Sequence, residues 1–233
     1  MWVGAAAMVL AGGSGSRVGA DRNKVYLPVA GRSVLAWSVD ALAGAAGVGP
    51  VVLVVRPQDR DLARKVLDEE SAHGAAVEVV DGGATRQDSE LAGLRALAGR
   101  IGTGEVDVVL VHDGARPLVG AALVAEVLRV ARASGGAVPG LVRTDLATVD
   151  WAGGLVAPAR HTAVQTPQGF RAAPLLAAYE RAALEGFSGT DTASCVERFA
   201  PDVTVRCVAG DPRNVKVTYL HDLDVVAGAL TGP

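Results

Sequence analysis

Short apolar runs alternate with amphipathic stretches through the first 135 residues of the chain. The pattern predicts strands at Ala5–Leu10, Val51–Val55, Ala76–Val80 and Val106–His112. Between them it predicts helices near Ser33–Gly44, Asp59–Glu70, Ser89–Leu97 and Ala121–Ala133. Ser33 and Ser89 stand where N-caps belong, and Gly44 and Gly99 stand where helices stop. Strands and helices in this alternation form βαβ units, so the fold class is α/β with a doubly wound, mostly parallel sheet.

From Pro139 to Ala163 the pattern changes to PGLVRTDLATVDWAGGLVAPARHTA, with Ala152-Gly153-Gly154 as a hairpin turn between two β-prone segments. This stretch reads as a projecting β-arm at about residues 139–163, suited to dimerisation or to closing a neighbour's site. Helices return at Pro174–Leu184 and Thr190–Phe199, a strand follows at Val203–Val208, and a last helix starts near His221. No linker or internal repeat divides the chain, so residues 1–233 read as one domain carrying the arm.

Composition narrows the partners. Half the 233 residues are hydrophobic and 4% are aromatic, so Val, Leu and Ala build the core. A formal charge of −3 offers no basic footprint for nucleic acid. No apolar stretch reaches membrane-span length, and Met1-Trp2-Val3-Gly4 lacks the basic start of a signal peptide. Cys195 and Cys207 have neither CxxC spacing nor a nearby His, and both read as buried thiols in a reducing compartment. The expected location is the cytoplasm.

Ligands of open α/β sheets bind beyond the carboxyl ends of the strands, and four such loops have unusual content. Ala11–Lys24 carries Gly12, Gly13 and Gly15, which let backbone N–H groups crowd an anion, followed by Arg17 and Lys24. The loop lacks the GK[ST] of a Walker A sequence and the spacing of a dinucleotide fingerprint, and Arg56 ends the second strand where a ribose-binding acid would stand. Lysine is scarce: Lys24, Lys65 and Lys216 are the whole set, which makes a lysine in a polar loop informative. Asp81–Ser89 brings more glycine, with Ser89 either capping a helix or reaching a base edge. Val111–Pro117 places Asp113 beside Arg116 at a strand end, as a Mg²⁺ ligand, a hydroxyl acceptor or a structural ion pair. His112, on the opposite face of the strand, reads as a core residue, and Lys65 as part of a solvated helix face. Gly210–Thr218 adds Lys216, which with Thr190-Asp191 could complete an anion pocket.

Six segments occur in an order that resembles the 2-C-methyl-D-erythritol 4-phosphate cytidylyltransferase family: Leu10–Arg17 with Lys24, GGATRQDS, VHDGARP, Gln165–Phe170, Thr190-Asp191 with Ala193-Ser194, and Asn214–Thr218. The resemblance implies a Rossmann-like fold and Mg²⁺-dependent transfer of CMP from CTP to a sugar phosphate. It implies Arg17 and Lys24 as catalytic residues. Ala11, Gly12, Gly13, Gly83, Ala84 and Ser89 would bind the nucleotide. Asp113, Arg116, Thr190 and Lys216 would face the sugar phosphate, with Arg160 a further candidate and Asp113 the candidate metal ligand. A homodimer through the β-arm completes the expectation.

Three positions depart from the family pattern. Asn23 replaces the usual Pro before the loop lysine, which predicts a looser turn. The arm reads Asp145-Leu146-Ala147 where the family has Asp-Thr followed by Lys, and the segment between Arg160 and Gln165 is short. These arm changes fall on the acceptor side, so a pentitol phosphate such as ribitol 5-phosphate is the alternative acceptor. A catalytically silent nucleotide-binding paralogue is the alternative of another class.

Overall fold

Strands whose successive side chains point to opposite faces bury both faces only if helices cover each side. In the computed structural model, which describes residues 3–13, 23–146, 150–154, 156, 161–189 and 191–232, the central strands do so. On β1 (Gly4–Leu10), Ala5, Ala7 and Val9 enter one core layer while Ala6 and Met8 enter the other. The same division recurs on β4 (Val48–Val55) and β6 (Val106–Asp113). Helices α1 (Val34–Ala43), α2 (Arg60–Glu70) and α4 (Ala121–Ser134) cover one face. Helices α3 (Arg86–Gly102), α5 (Ala172–Leu184) and α6 (Thr192–Phe199) cover the other. This is the expected α/β, Rossmann-like arrangement.

The remaining strands are the small hairpin β2 (Pro28–Val29) and β3 (Arg32–Ser33), then β5 (Val77–Asp81), β7 (Gly135–Arg143), β8 (His161–Val164), β9 (Gln168–Arg171) and β10 (Thr204–Ala209). Helix α7 (His221–Thr231) packs Val226 with Val29, Val34 and Val217. The main sheet runs β10-β7-β9-β6-β1-β4-β5, with β8 paired to β7. Within it β8 and β9 run against the other strands. The loops after β1, β5, β6 and β10 therefore leave from one edge.

Several boundaries differ from the sequence expectation. Thr85, rather than Ser89, caps α3: its hydroxyl accepts from Asp88 N–H (3.1 Å) and Asp88 accepts from Thr85 N–H (3.0 Å). The helix then passes through Gly99 to Gly102, because Leu97 and Ile101 continue its buried stripe. Ser33 and Gly44 are the caps of α1, as expected.

Two strands lay hidden in the sequence. The start of β7, Gly135-Gly136-Ala137-Val138-Pro139-Gly140, reads as a break because glycine and proline disfavour strands, yet it lies buried between β9 and β10. The β9 strand has no alternating apolar pattern. Its Gly169 lies so close to α4 that a Cβ would come within 2.8 Å of Val127 Cγ1. Only the outer half of β7 forms the arm with β8, joined in antiparallel register from Gly140↔Val164 to Arg143↔His161. The Ala152–Gly154 turn is formed as expected, with Gly153 at φ +84° and Asp150 accepting from Ala152 and Gly154 N–H groups. Cys195 is buried as expected, whereas Cys207 is exposed, since β10 lies at the sheet edge.

Candidate active site

The loops at the shared edge are pinned by backbone bonds to the strands beside those they leave. Ala11 N–H donates to Val54 O (2.8 Å), Gly82 N–H to Val55 O (2.7 Å), Gly114 N–H to Leu10 O (2.9 Å) and Gly210 N–H to Gly140 O (2.9 Å). Gly12 and Gly13 follow at the surface, and Gly12 faces Ser89 across the edge, a Cβ there lying 3.8 Å from Ser89 Oγ. Thus the two glycine loops, far apart in sequence, adjoin. Ala11 itself is buried, with its N–H committed to Val54.

Ser89 braces its own loop. Its hydroxyl accepts from Gly83 N–H (3.2 Å) and donates to Thr85 O (2.9 Å). Gly83 folds tightly against the helix start, where a Cβ would collide with Asp88 Cβ at 2.2 Å, so only glycine fits. Gly83 and Ala84 remain exposed.

Asn23 corrects one expectation. Instead of loosening the turn before Lys24, it is 2% exposed and its Nδ2 donates to Ala11 O (2.6 Å). Its Oδ1 also caps the 3₁₀ turn Lys24–Tyr26 by accepting from Val25 N–H. The side chain thereby ties Lys24 to the end of β1, replacing proline's stiffness with two hydrogen bonds. Arg17, Thr190 and Arg160 lie outside the described residues.

Asp113, buried at the end of β6, is clasped by cations from three segments. Oδ1 accepts from Arg86 Nη1 (2.7 Å), Oδ2 accepts from Lys216 Nζ (2.7 Å), and Arg116 Nε stands 3.7 Å from Oδ2. Burial alone would raise its pKa, but the Arg86 and Lys216 charges outweigh that and hold the carboxyl well below the usual range. Arg116 is itself buried and donates to Asn214 O (2.7 Å), so it joins the Asp113 loop to the loop of Lys216. Arg86 and Lys216 stay partly exposed, at 37% and 38% of their side chains.

A buried polar layer backs this cluster. Thr166 Oγ1 accepts from Asp113 N–H (3.0 Å) and lies 3.1 Å from His112 Nδ1, while His112 Nε2 lies 3.1 Å from Arg116 O. A carbonyl can only accept, so Nε2 carries the proton and Nδ1 takes the Thr166 hydroxyl. Asn214 Nδ2 donates to Thr166 O (2.8 Å), and Gln165 bridges the backbone of Asp211 and Asn214. His112 is thus the satisfied core histidine expected, and Lys65 lies on a solvated face opposite Glu69.

The sequence reading missed Arg86 and Glu90 as site residues, and Thr166 and Asn214 as the support of Asp113 and Arg116. Arg86 lay inside the quoted GGATRQDS segment, and Glu90 follows it at helical i,i+4 spacing, a pairing signal. The magnesium expectation for Asp113 meets a carboxylate already engaged by cations, Oδ1 by Arg86 and Oδ2 by Lys216.

A Rossmann-like sheet presenting two glycine loops, a lysine and a carboxylate held by cations on one edge defines a nucleotidyltransferase. The family model described as IspD, 2-C-methyl-D-erythritol 4-phosphate cytidylyltransferase, matches residues 5–231, and the chain belongs to that family. It is similar to proteins of that name from Prochlorococcus marinus (38% identical, covering 96% of each chain) and Thermobifida fusca (40% identical, covering 97% of this chain and 92% of the other). The crystal structure of 4-diphosphocytidyl-2C-methyl-D-erythritol synthase from Anaerococcus prevotii superposes with TM-score 0.82 at 27% identity, over 98% of this chain and 96% of that one. The Thermus thermophilus 2-C-methyl-D-erythritol 4-phosphate cytidylyltransferase gives TM-score 0.70 at 33% identity, over 99% and 98%.

His112 generates a pH prediction. Burial lowers its pKa from 6.5 to about 4, so the unfolded chain takes up a proton that the folded chain refuses. Its contribution to stability is complete above pH 6.5 and is lost as the pH falls toward 4, amounting to about 3 kcal/mol. Melting temperatures between pH 7 and pH 4.5 should fall more steeply for the native protein than for His112→Asn. NMR should find the His112 ring neutral at pH 5.5, and a ring titrating near its ordinary value would contradict the assignment.

Proposed function

We propose that this chain transfers CMP from CTP to 2-C-methyl-D-erythritol 4-phosphate and releases pyrophosphate. A phosphate oxygen of the acceptor attacks the α-phosphorus of CTP. The new P–O bond forms as the bond from the α-phosphorus to the pyrophosphate oxygen breaks, and pyrophosphate departs with the bonding pair. Such a reaction needs positioning and charge neutralisation more than proton transfer.

In this reading Lys24, tied to β1 through Asn23, and Arg17 stabilise charge on the α-phosphate. Gly12, Gly13, Gly83 and Ala84 bring backbone to the nucleotide, with Ala11 and Ser89 shaping those loops from behind. Asp113, Arg116 and Lys216 serve the acceptor side, joined by Thr190 and Arg160. Among the described residues, Arg86, Arg116 and Lys216 set against Asp113 and Glu90 leave one formal positive charge in excess, which suits an anionic phosphate. Magnesium enters as a companion of the triphosphate, consistent with an ion that keeps its waters and binds substrate phosphates. Family membership over residues 5–231, with the two glycine loops meeting beside Asp113 and Lys216, carries the reading.

The dimer is also a proposal. The arm exposes Val142 and Val164 on its paired strands and a fully exposed Trp151 at its turn, a surface suited to a second copy of the chain. Action in the cytoplasm is part of the same proposal, and the two free cysteines suit a reducing compartment.

Pyrophosphate release measured with CTP and a panel of acceptors should be fastest with 2-C-methyl-D-erythritol 4-phosphate; clear preference for ribitol 5-phosphate would sink this acceptor assignment. Binding of CTP without turnover on any acceptor would instead favour a silent paralogue. Lys24→Ala should lower kcat by roughly 100-fold or more while leaving the melting temperature nearly unchanged. Normal turnover in that variant would remove Lys24 from the mechanism. Sedimentation should give a dimer for the native chain and a monomer for Val142→Glu with Trp151→Asp, and a native monomer would refute the arm interface.

A further inference from the structure

Glu90 places a carboxylate where an apolar side chain could pack. It is 1% exposed on α3, and its oxygens receive hydrogen bonds from three elements. Oε1 accepts from Arg86 Nε (2.9 Å) on the same helix and from Thr192 Oγ1 (2.9 Å) at the start of α6, and Oε2 accepts from Tyr179 Oη on α5. Burying a carboxylate is costly unless its hydrogen bonds are met. Here they are met, and the arrangement fixes the direction of one guanidinium. With Nε on Glu90 and Nη1 on Asp113, Arg86 is held at two corners by carboxylates from separate elements.

The same turn of α3 also holds the segment that precedes α6. Gln87 Nε2 donates to Phe187 O (2.6 Å), and its Oε1 accepts from Gly189 N–H (2.7 Å). Thr192 then bonds Glu90, and Asp191 caps α6 by accepting from Ser194 N–H. Arg86, Gln87 and Glu90 thus join the Asp113 cluster to the approach to α6.

We propose that Glu90 is a positioning residue for the acceptor side of the site: it fixes Arg86 against Asp113 and sets the start of α6 in register with that carboxylate. The proposal rests on the reading of Asp113 as an acceptor-side residue. Glu90→Gln keeps the volume and removes the charge. It should raise KM for 2-C-methyl-D-erythritol 4-phosphate about tenfold while KM for CTP and kcat stay within about twofold. Tyr179→Phe should move the same constant in the same direction by less. Leu94→Ala, a core change elsewhere on α3, should lower the melting temperature without altering the ratio of the two KM values. An unchanged ratio in Glu90→Gln, or a parallel rise of both KM values, would overturn the proposal. If Glu90→Gln does not fold, Tyr179→Phe carries the comparison. Should the native protein not use this acceptor, the functional reading fails separately, and the crystal structure of Glu90→Gln decides the positioning role. Arg86 withdrawn from Asp113 supports it, and Arg86 still at hydrogen-bond distance refutes it.

Discussion

Asp113 is a carboxylate buried at the end of a central strand, and its ionisation constrains much of what surrounds it. An isolated charge there would cost several kcal/mol, and removing one partner from a buried pair typically costs about 3–5 kcal/mol. The protein offsets this with cations brought from α3, from the turn after β6 and from the loop after β10. Each of those segments must then arrive at one point with its side chain extended. The loop geometry at the sheet edge follows from that requirement as much as from backbone preference.

The layer behind the carboxylate shows how the arrangement is made specific. His112, Thr166, Asn214 and Gln165 are buried polar residues whose hydrogen bonds run among the loops rather than to solvent. Neutral His112 matches its two partners, whereas a protonated ring would set a donor against the Thr166 hydroxyl hydrogen. Within this layer Asn214 Oδ1 finds no hydrogen-bond partner among the described residues, while the other contacts tie the loops together. Here the network fixes which loops neighbour Asp113, and it leaves Arg86 and Lys216 as its partly exposed cations.

Charge also links the site to the helical layer. Glu90 and Asp113 share Arg86, and through Thr192 and Tyr179 the link reaches α6 and α5. The first turns of α3 therefore brace the Gly82–Gly83 loop, the Asp113 cluster and the helical packing together. Asn23 plays a comparable part after β1, where one amide joins the end of that strand to the turn of Lys24.

Local pattern in the sequence determined the α/β class, the order of the main strands and helices, and the loops of the candidate site. Periodicity and capping act over a few residues, so Ala5–Leu10, Ser33 and Gly44 were legible without the fold. The strands β7 and β9 were not, because glycine and proline mask strand character that neighbouring chains restore by packing. Apart from the local pairs Asp113–Arg116 and Arg86–Glu90, the arrangement of charges belonged to tertiary structure. Arg86 and Lys216 lie 27 and 103 residues from Asp113 in sequence, yet each stands 2.7 Å from it. Coulomb interaction depends on distance through space, and that distance exists only once the sheet has brought its loops to a common edge.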